Sequence, residues 1–185
     1  MAQHTCPWWI GYLLASPLRR LWHDPHQILS PLVAPGMTVL EPGPGMGFFT
    51  LELARLVGPS GRVVAVDVQP RMLAALRRRA GRQGLLERIE TREATADSMG
   101  IADLAGRVDF VLAFAMVHEV PDRDRFFAEV TRALAPGGRV LLAEPRGHVN
   151  ESLFAKLLRL AEANGLRAVS QLVIPASRAA VLAVR

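Results

Sequence analysis

VLEPGPGMGFFT, residues 39–50, is the stretch on which the fold of this 185-residue chain turns. Its first residues continue an apolar run from Met37, and Met37–Glu41 (MTVLE) predicts a short strand. The run passes straight into Glu41-Pro42-Gly43-Pro44-Gly45-Met46-Gly47. Beyond it Leu51, Ala54 and Val57 repeat near the helical period, so a helix is expected over Phe48–Val57, closed by Gly58-Pro59. Glycines permit a tight strand-to-helix turn and let a ligand approach the backbone. Strand, glycine turn and helix in that order open a doubly wound sheet, whose ligands bind at the carboxyl ends of its strands.

Outward from that turn, strands and helices alternate. Arg62–Asp67 (RVVAVD) predicts a second strand and Pro70–Gly84 a helix with proline in its first turn. Ile89–Glu93 is a weaker strand. Val108–Phe114 (VDFVLAF) is continuously apolar, as a strand covered on both faces should be. A helix over Asp122–Leu134 meets Pro136-Gly137-Gly138, and Arg139–Glu144 (RVLLAE) follows as a strand. Glu151–Ala163 is the last predicted helix, ended by Asn164-Gly165. Two strands, about Arg167–Ile174 and Ala179–Val184, have only a short link between them, so they should form an antiparallel hairpin. The expected fold is α/β, a doubly wound, mostly parallel seven-stranded sheet with that hairpin at its end. It is expected as a single domain over 1–185, with a helical prefix over 1–36 broken near His23–Pro25 and a core over 37–185.

The glycine spacing is E-x-G-x-G-x-G. A dinucleotide fingerprint, G-x-G-x-x-G counted from Gly43, needs glycine where Phe48 stands. Glu41, at the strand end, would sit badly beside a pyrophosphate but suits a cationic amino-acid tail such as that of S-adenosylmethionine. Asp67 ends the second strand, 24 residues after Gly43. A carboxylate there can accept both ribose hydroxyls; the bland alternative is a cap for the next helix.

Four segments together, VLEPGPGMGFFT (39–50), VVAVDVQPRML (63–73), VDFVLAFAMVHEV (108–120) and LAPGGRVLLAEP (134–145), resemble the class I, seven-stranded S-adenosylmethionine-dependent methyltransferases, in particular the small type 11 methyltransferase-domain proteins. They cover most of residues 37–145, in the family's order. The resemblance implies that Glu41, Gly43, Pro44, Gly45 and Gly47 line the methionine moiety and that Asp67 holds the ribose. It sets Val68 and Met72 near the adenine. Glu93-Ala94 is similar to the Asp-Ala pair that contacts the adenine amino group, with glutamate as a departure and Asp97 as a competing candidate. Phe114 and Ala115 would flank the sulfonium.

Methyl transfer from a sulfonium is an in-line displacement to which alignment contributes much. A base is needed only where the acceptor loses a proton. His118, with Glu119 beside it, is the catalytic candidate, since a neutral imidazole accepts a proton near neutral pH. The alternative is that it packs against or caps the following helix. His148, at the end of the fifth strand, is a second candidate. No histidine pair stands at i, i+4 with a carboxylate, so no metal is expected.

The remaining features bound the partners. The chain has a net charge of +5 and 22 basic residues, all arginine except Lys156. They are scattered; Arg77, Arg78, Arg79 and Arg82 read as a solvated helix face. A nucleic-acid partner is not expected, and few residues lie outside the core to recognise one. A small-molecule acceptor is. One cysteine, Cys6, excludes an internal disulfide framework and points to a cytoplasmic setting. Pro7–Pro17 is apolar but shorter than the ~20 residues that span a bilayer, and Arg19-Arg20 follow it rather than precede it as in a signal peptide. Trp8, Trp9, Tyr12 and Trp22 in this prefix leave three readings open: a lid over the cofactor, a homodimer contact, or a helix lying on a membrane surface. Two further classes stay open at this point, a non-catalytic cofactor or partner binder and an NAD-dependent oxidoreductase on the same scaffold.

Overall fold

The computed structural model describes residues 23–95 and 97–185. The tryptophan-rich segment, with its expected helices and its lid, dimer or membrane contacts, lies outside the described residues, as does Cys6. Seven strands make one sheet in the order β3-β2-β1-β4-β5-β7-β6, the α/β architecture expected from the alternation of elements. The described residues fall into two compact units, 23–100 and Ile101–Arg185.

The first unit runs α1 (Pro25–Leu29), β1 (Thr38–Pro42), α2 (Thr50–Leu56), β2 (Arg62–Asp67), α3 (Pro70–Gly81) and β3 (Ile89–Glu93). β1 pairs with β2 from Thr38↔Arg62 to Pro42↔Val66, and β2 with β3 from Val63↔Ile89 to Asp67↔Glu93, both parallel. Val63, Val64 and Ala65 are wholly buried, which is why that strand is apolar without alternation. Helix α2 begins at Thr50 rather than Phe48 because residues 45–49 remain in turns. The ladder of α3 ends at Gly81, three residues short of expectation. Its last turn then closes as a Schellman motif: Gly84 has φ 67°, its N–H donates to the Gly81 carbonyl, and the Leu85 N–H donates to that of Ala80.

The second unit runs β4 (Val108–Phe114), α4 (Arg123–Ala133), β5 (Leu134–Pro145), α5 (Glu151–Ala163), β6 (Leu166–Gln171) and β7 (Ser177–Val184). β4 and β5 are parallel, while β7 is antiparallel to both β5 and β6, giving the expected terminal hairpin. Pro136-Gly137-Gly138 does not stand before β5 as a separate stop. The strand already begins at Leu134, and the register of its pairing shifts between Val108 and Phe110. Both helices carry side-chain caps: the Asp122 carboxylate accepts from Arg125 N at 3.0 Å and the Asn150 carbonyl from Leu153 N at 2.8 Å. Among the described residues no helix is long and apolar enough to cross a membrane.

Candidate active site

In the first unit, the carboxyl ends of β1 and β2 are tied together through the glycine turn. The Gly43 N–H donates to the Val66 carbonyl at 2.8 Å and the Gly47 N–H to that of Pro44 at 3.0 Å. Asp67 supplies the central tie: one carboxylate oxygen accepts from Gly45 N at 3.2 Å and the other from Gln69 N at 2.9 Å. Gln69 is the N-cap residue of α3 and makes no side-chain cap bond of its own. Asp67 therefore ties the glycine turn to the start of the helix. The turn itself needs glycine at two positions for different reasons. A Cβ on Gly47, at φ 83°, would lie 2.3 Å from the Leu76 side chain; a Cβ on Gly45, at φ 54°, would meet nothing within 4 Å. The first glycine lets α3 pack against the turn, and the second faces open space.

Glu41, at the end of β1, is 3 % exposed, and Pro44 is buried beside the half-buried Gly45. Val68 directly after Asp67 is 49 % exposed, an apolar side chain left toward solvent at the strand end. Met72 is instead buried, in a cluster with Met46 and Ala75. Glu93 ends β3 exposed, and the Ala94 N–H donates to the Asp67 carbonyl at 3.0 Å, so this pair sits one strand over at the same level. Asp97 lies in an exposed bend. One arginine of the basic helix departs from the expected solvated face: the half-buried Arg79 guanidinium donates to the Met46 carbonyl within the turn. A buried acid, a two-pronged carboxylate, open space over a glycine and an exposed apolar side chain together fit a nucleoside with a cationic amino-acid tail.

In the second unit, Phe114 ends β4 buried and Ala115 follows with φ 57°, its N–H donating to the Ala143 carbonyl at 2.7 Å. Left-handed backbone costs a non-glycine residue ~1–2 kcal/mol. The chain then makes one 3-10 turn, Val117–Glu119, which carries His118. Glu144, at the end of β5 and wholly buried, takes hold of this turn. One of its oxygens accepts from Val117 N at 2.8 Å and His118 N at 3.3 Å; the other lies 2.5 Å from His118 Nδ1. Arg123 closes the turn from the other side, donating to the Val117 carbonyl at 3.0 Å and the His118 carbonyl at 2.6 Å. His148 Nδ1 lies 3.4 Å from His118 Nε2.

These contacts move His118 off its ordinary titration. The hydrogen bond to Glu144 raises its pKa, burial opposes the rise, the charges of Glu144 and Glu119 add to it, and Arg123 lowers it; the net direction is up. The following helix is capped by Asp122, so His118 has no capping duty. Sequence neighbours suggested Glu119 as its partner, but Glu119 reaches only 3.9 Å from Nε2. The partner that reasoning missed is Glu144, 26 positions away. The available signal was a lone acid ending the apolar run RVLLAE, since a buried carboxylate requires hydrogen-bond partners. Among the described residues no group of three or more His, Cys, Asp or Glu is arranged to hold a metal.

Comparison with known proteins identifies the family. A family model described as a methyltransferase domain matches residues 40–142. The chain is 34% identical over 132 residues to a ubiquinone/menaquinone biosynthesis C-methyltransferase of Hahella chejuensis, covering 71% of this chain and 52% of that one. It is 35% identical over 112 residues to an arsenite methyltransferase of Halobacterium salinarum, covering 60% of this chain and 28% of that one. The chain thus spans about half, or less, of the length of these curated relatives. Among solved structures, a SAM-dependent methyltransferase from Aquifex aeolicus shares the fold with a TM-score of 0.85 at 23% identity, covering 96% of this chain and 98% of that one. With the family model spanning the glycine turn, Asp67 and all of β4, the chain belongs to the class I S-adenosylmethionine-dependent methyltransferases.

Proposed function

We propose that this chain transfers a methyl group from S-adenosylmethionine to a small organic acceptor. The observation that carries the proposal is Asp67, whose carboxylate binds the Gly45 amide while the Cα face of Gly45 stays open. When bound, S-adenosylmethionine supplies an electrophilic methyl group on its sulfonium. Asp67 would hold the ribose hydroxyls, and Glu41 would attract the ammonium of the amino-acid tail. Gly43, Pro44, Gly45 and Gly47 would shape the bed of that tail. Val68 would lie against the adenine, with Met72 supporting the wall from within and Glu93-Ala94 at its edge. Phe114 and Ala115 would border the reacting sulfur. Where the acceptor must lose a proton, His118 would receive it.

The relatives named for C-methylation in quinone biosynthesis support an acceptor with an ionisable phenol, and hydroquinones are the natural first probes. A cytoplasmic setting rests on the single cysteine of the sequence. For residues 1–22 we retain the lid as the leading proposal, with a homodimer or membrane-surface contact as the outcomes that analytical ultracentrifugation and vesicle co-sedimentation would reveal.

Calorimetric titration tests the donor. Binding of S-adenosylmethionine and S-adenosylhomocysteine with no heat from NADH is expected. Binding of NADH in their place would return the chain to the oxidoreductases. Binding of the donor with no transfer of labelled methyl to any of a panel of phenols, hydroquinones and amines would leave a non-catalytic binder.

A further inference from the structure

Glu144, His118 and His148 lie in a row that runs from the interior to solvent. The Glu144 side chain is wholly buried, that of His118 is 14 % exposed, and His148 is exposed. The two imidazoles meet edge to face, with ring centroids 5.3 Å apart and planes at 70°. The contacts fix which nitrogen does what. Glu144 Oε2 lies against His118 Nδ1, and a buried carboxylate holds the proton of its imidazole partner on that nitrogen. Neutral His118 then presents Nε2 as an acceptor. The group facing Nε2 at 3.4 Å is His148 Nδ1, which must be the donor. His148 in turn is left with a bare Nε2, the less common tautomer for a histidine in water. At 3.4 Å the contact between the rings lies at the long end of the hydrogen-bond range.

We propose that these three residues form one proton relay, in which His148 is the catalytic residue that meets the acceptor and His118, positioned by Glu144, stores the proton. The proposal rests on the methyl-transfer reading and refines it, since the sequence offers His118 and His148 as separate candidates, with His118 ahead. The step balances as follows. The acceptor's O–H bond breaks and its proton forms a bond to His148 Nε2, while the electron pair stays with the acceptor and makes it the nucleophile that attacks the methyl. The proton on His148 Nδ1 passes to His118 Nε2. His148 ends neutral, and His118 ends as an imidazolium beside the Glu144 carboxylate. Water then removes the stored proton by the reverse path. Groups that face His118 are Glu144 from β5, Glu119 from its own turn, Arg123 from α4 and His148 from the segment after β5. The raised pKa of His118 agrees with the storage role.

Two-dimensional NMR of the full chain labelled with ¹⁵N-histidine tests the relay without any acceptor. Above the His118 midpoint, the expected spectrum shows protons on Nδ1 of both His118 and His148. Glu144→Gln is expected to lower the His118 midpoint by about one pH unit or more, as loss of an adjacent opposite charge does. His148→Gln is expected to displace that midpoint as well, because it removes the ring that faces His118 Nε2. A proton on Nε2 of neutral His118, or a His118 midpoint indifferent to both substitutions, would overturn the relay. Should Glu144→Gln fail to fold, the wild-type tautomers still decide. In the second arm, with hydroquinone as the probe, His148→Gln should lower kcat about 100-fold with the affinity for S-adenosylhomocysteine unchanged. An unchanged kcat in that variant overturns the relay. If the wild type transfers no methyl to the probe while the NMR signature stands, the fault lies with the acceptor assigned under the methyl-transfer reading.

Discussion

Asp67 holds two backbone amides, and that shapes what its loss should do. Hydrogen bonds to a charged group contribute about 1.5–3 kcal/mol each. Asp67→Asn keeps the shape and removes the charge, so affinity for S-adenosylhomocysteine should fall roughly 10- to 100-fold, read by calorimetry. His118 makes a second prediction, this one about pH. Its folded-state pKa is raised by the Glu144 hydrogen bond above the unfolded value of about 6.5. The stability it contributes is therefore complete below that value and is lost as pH rises through the folded-state pKa. Urea midpoints should decline over that window, and His118→Gln should abolish the decline. Since a proton can be taken only by the neutral ring, kcat/KM should rise across the same window. Asp67 was legible from sequence because strand end, spacing and charge coincide. Glu144 was not, because hydrogen bonding across 26 residues leaves no local pattern; only the oddity of an acid in an apolar strand marked it.

At the scale of elements, the glycine turn separates packing from binding. Gly47→Ala would drive a methyl into the wholly buried Leu76 side chain of α3. Gly45→Ala would place the same methyl in open space. Both pay the left-handed penalty of ~1–2 kcal/mol. Gly47→Ala should lose clearly more stability than that in urea denaturation, whereas Gly45→Ala should fold with about that loss and show its main defect as weakened cofactor binding. Equal effects of the two on stability would argue against this division. The strands β2, β3 and β4 and the helix α5 stand where the sequence places them, because apolar runs, caps and breakers all agree there. The ends of α2, α3 and β5 moved: glycines hold the turn before α2 and close α3, whereas β5 runs through the proline and glycines expected to stand before it. Arg79 also departs from expectation, since periodicity assigns a residue to a face but does not tell where a long side chain reaches.

For the whole molecule, ligand linkage provides the check. A ligand that binds only the folded chain stabilises it by about 2.7 kcal/mol at a hundredfold excess over its Kd. For a domain of this size that corresponds to a rise in Tm of roughly 5–10 °C. S-adenosylhomocysteine should give such a rise and NADH none, by scanning calorimetry, with the rise largely lost in Asp67→Asn. The fold class was legible because alternating strand and helix periods admit few topologies. The antiparallel end of the sheet followed from a single short link.

On the sugar-binding role proposed for Asp67, its bond from Gly45 would couple the grip on the sugar to the shape of the turn. Whatever stiffens one must stiffen the other, and the influence is reciprocal. Much of the ordering cost of binding is thus met during folding, so the donor meets a receptor already set. Evolution at this site is correspondingly constrained: a drift in turn geometry alters sugar affinity at once, so the two halves of the donor cannot be tuned separately.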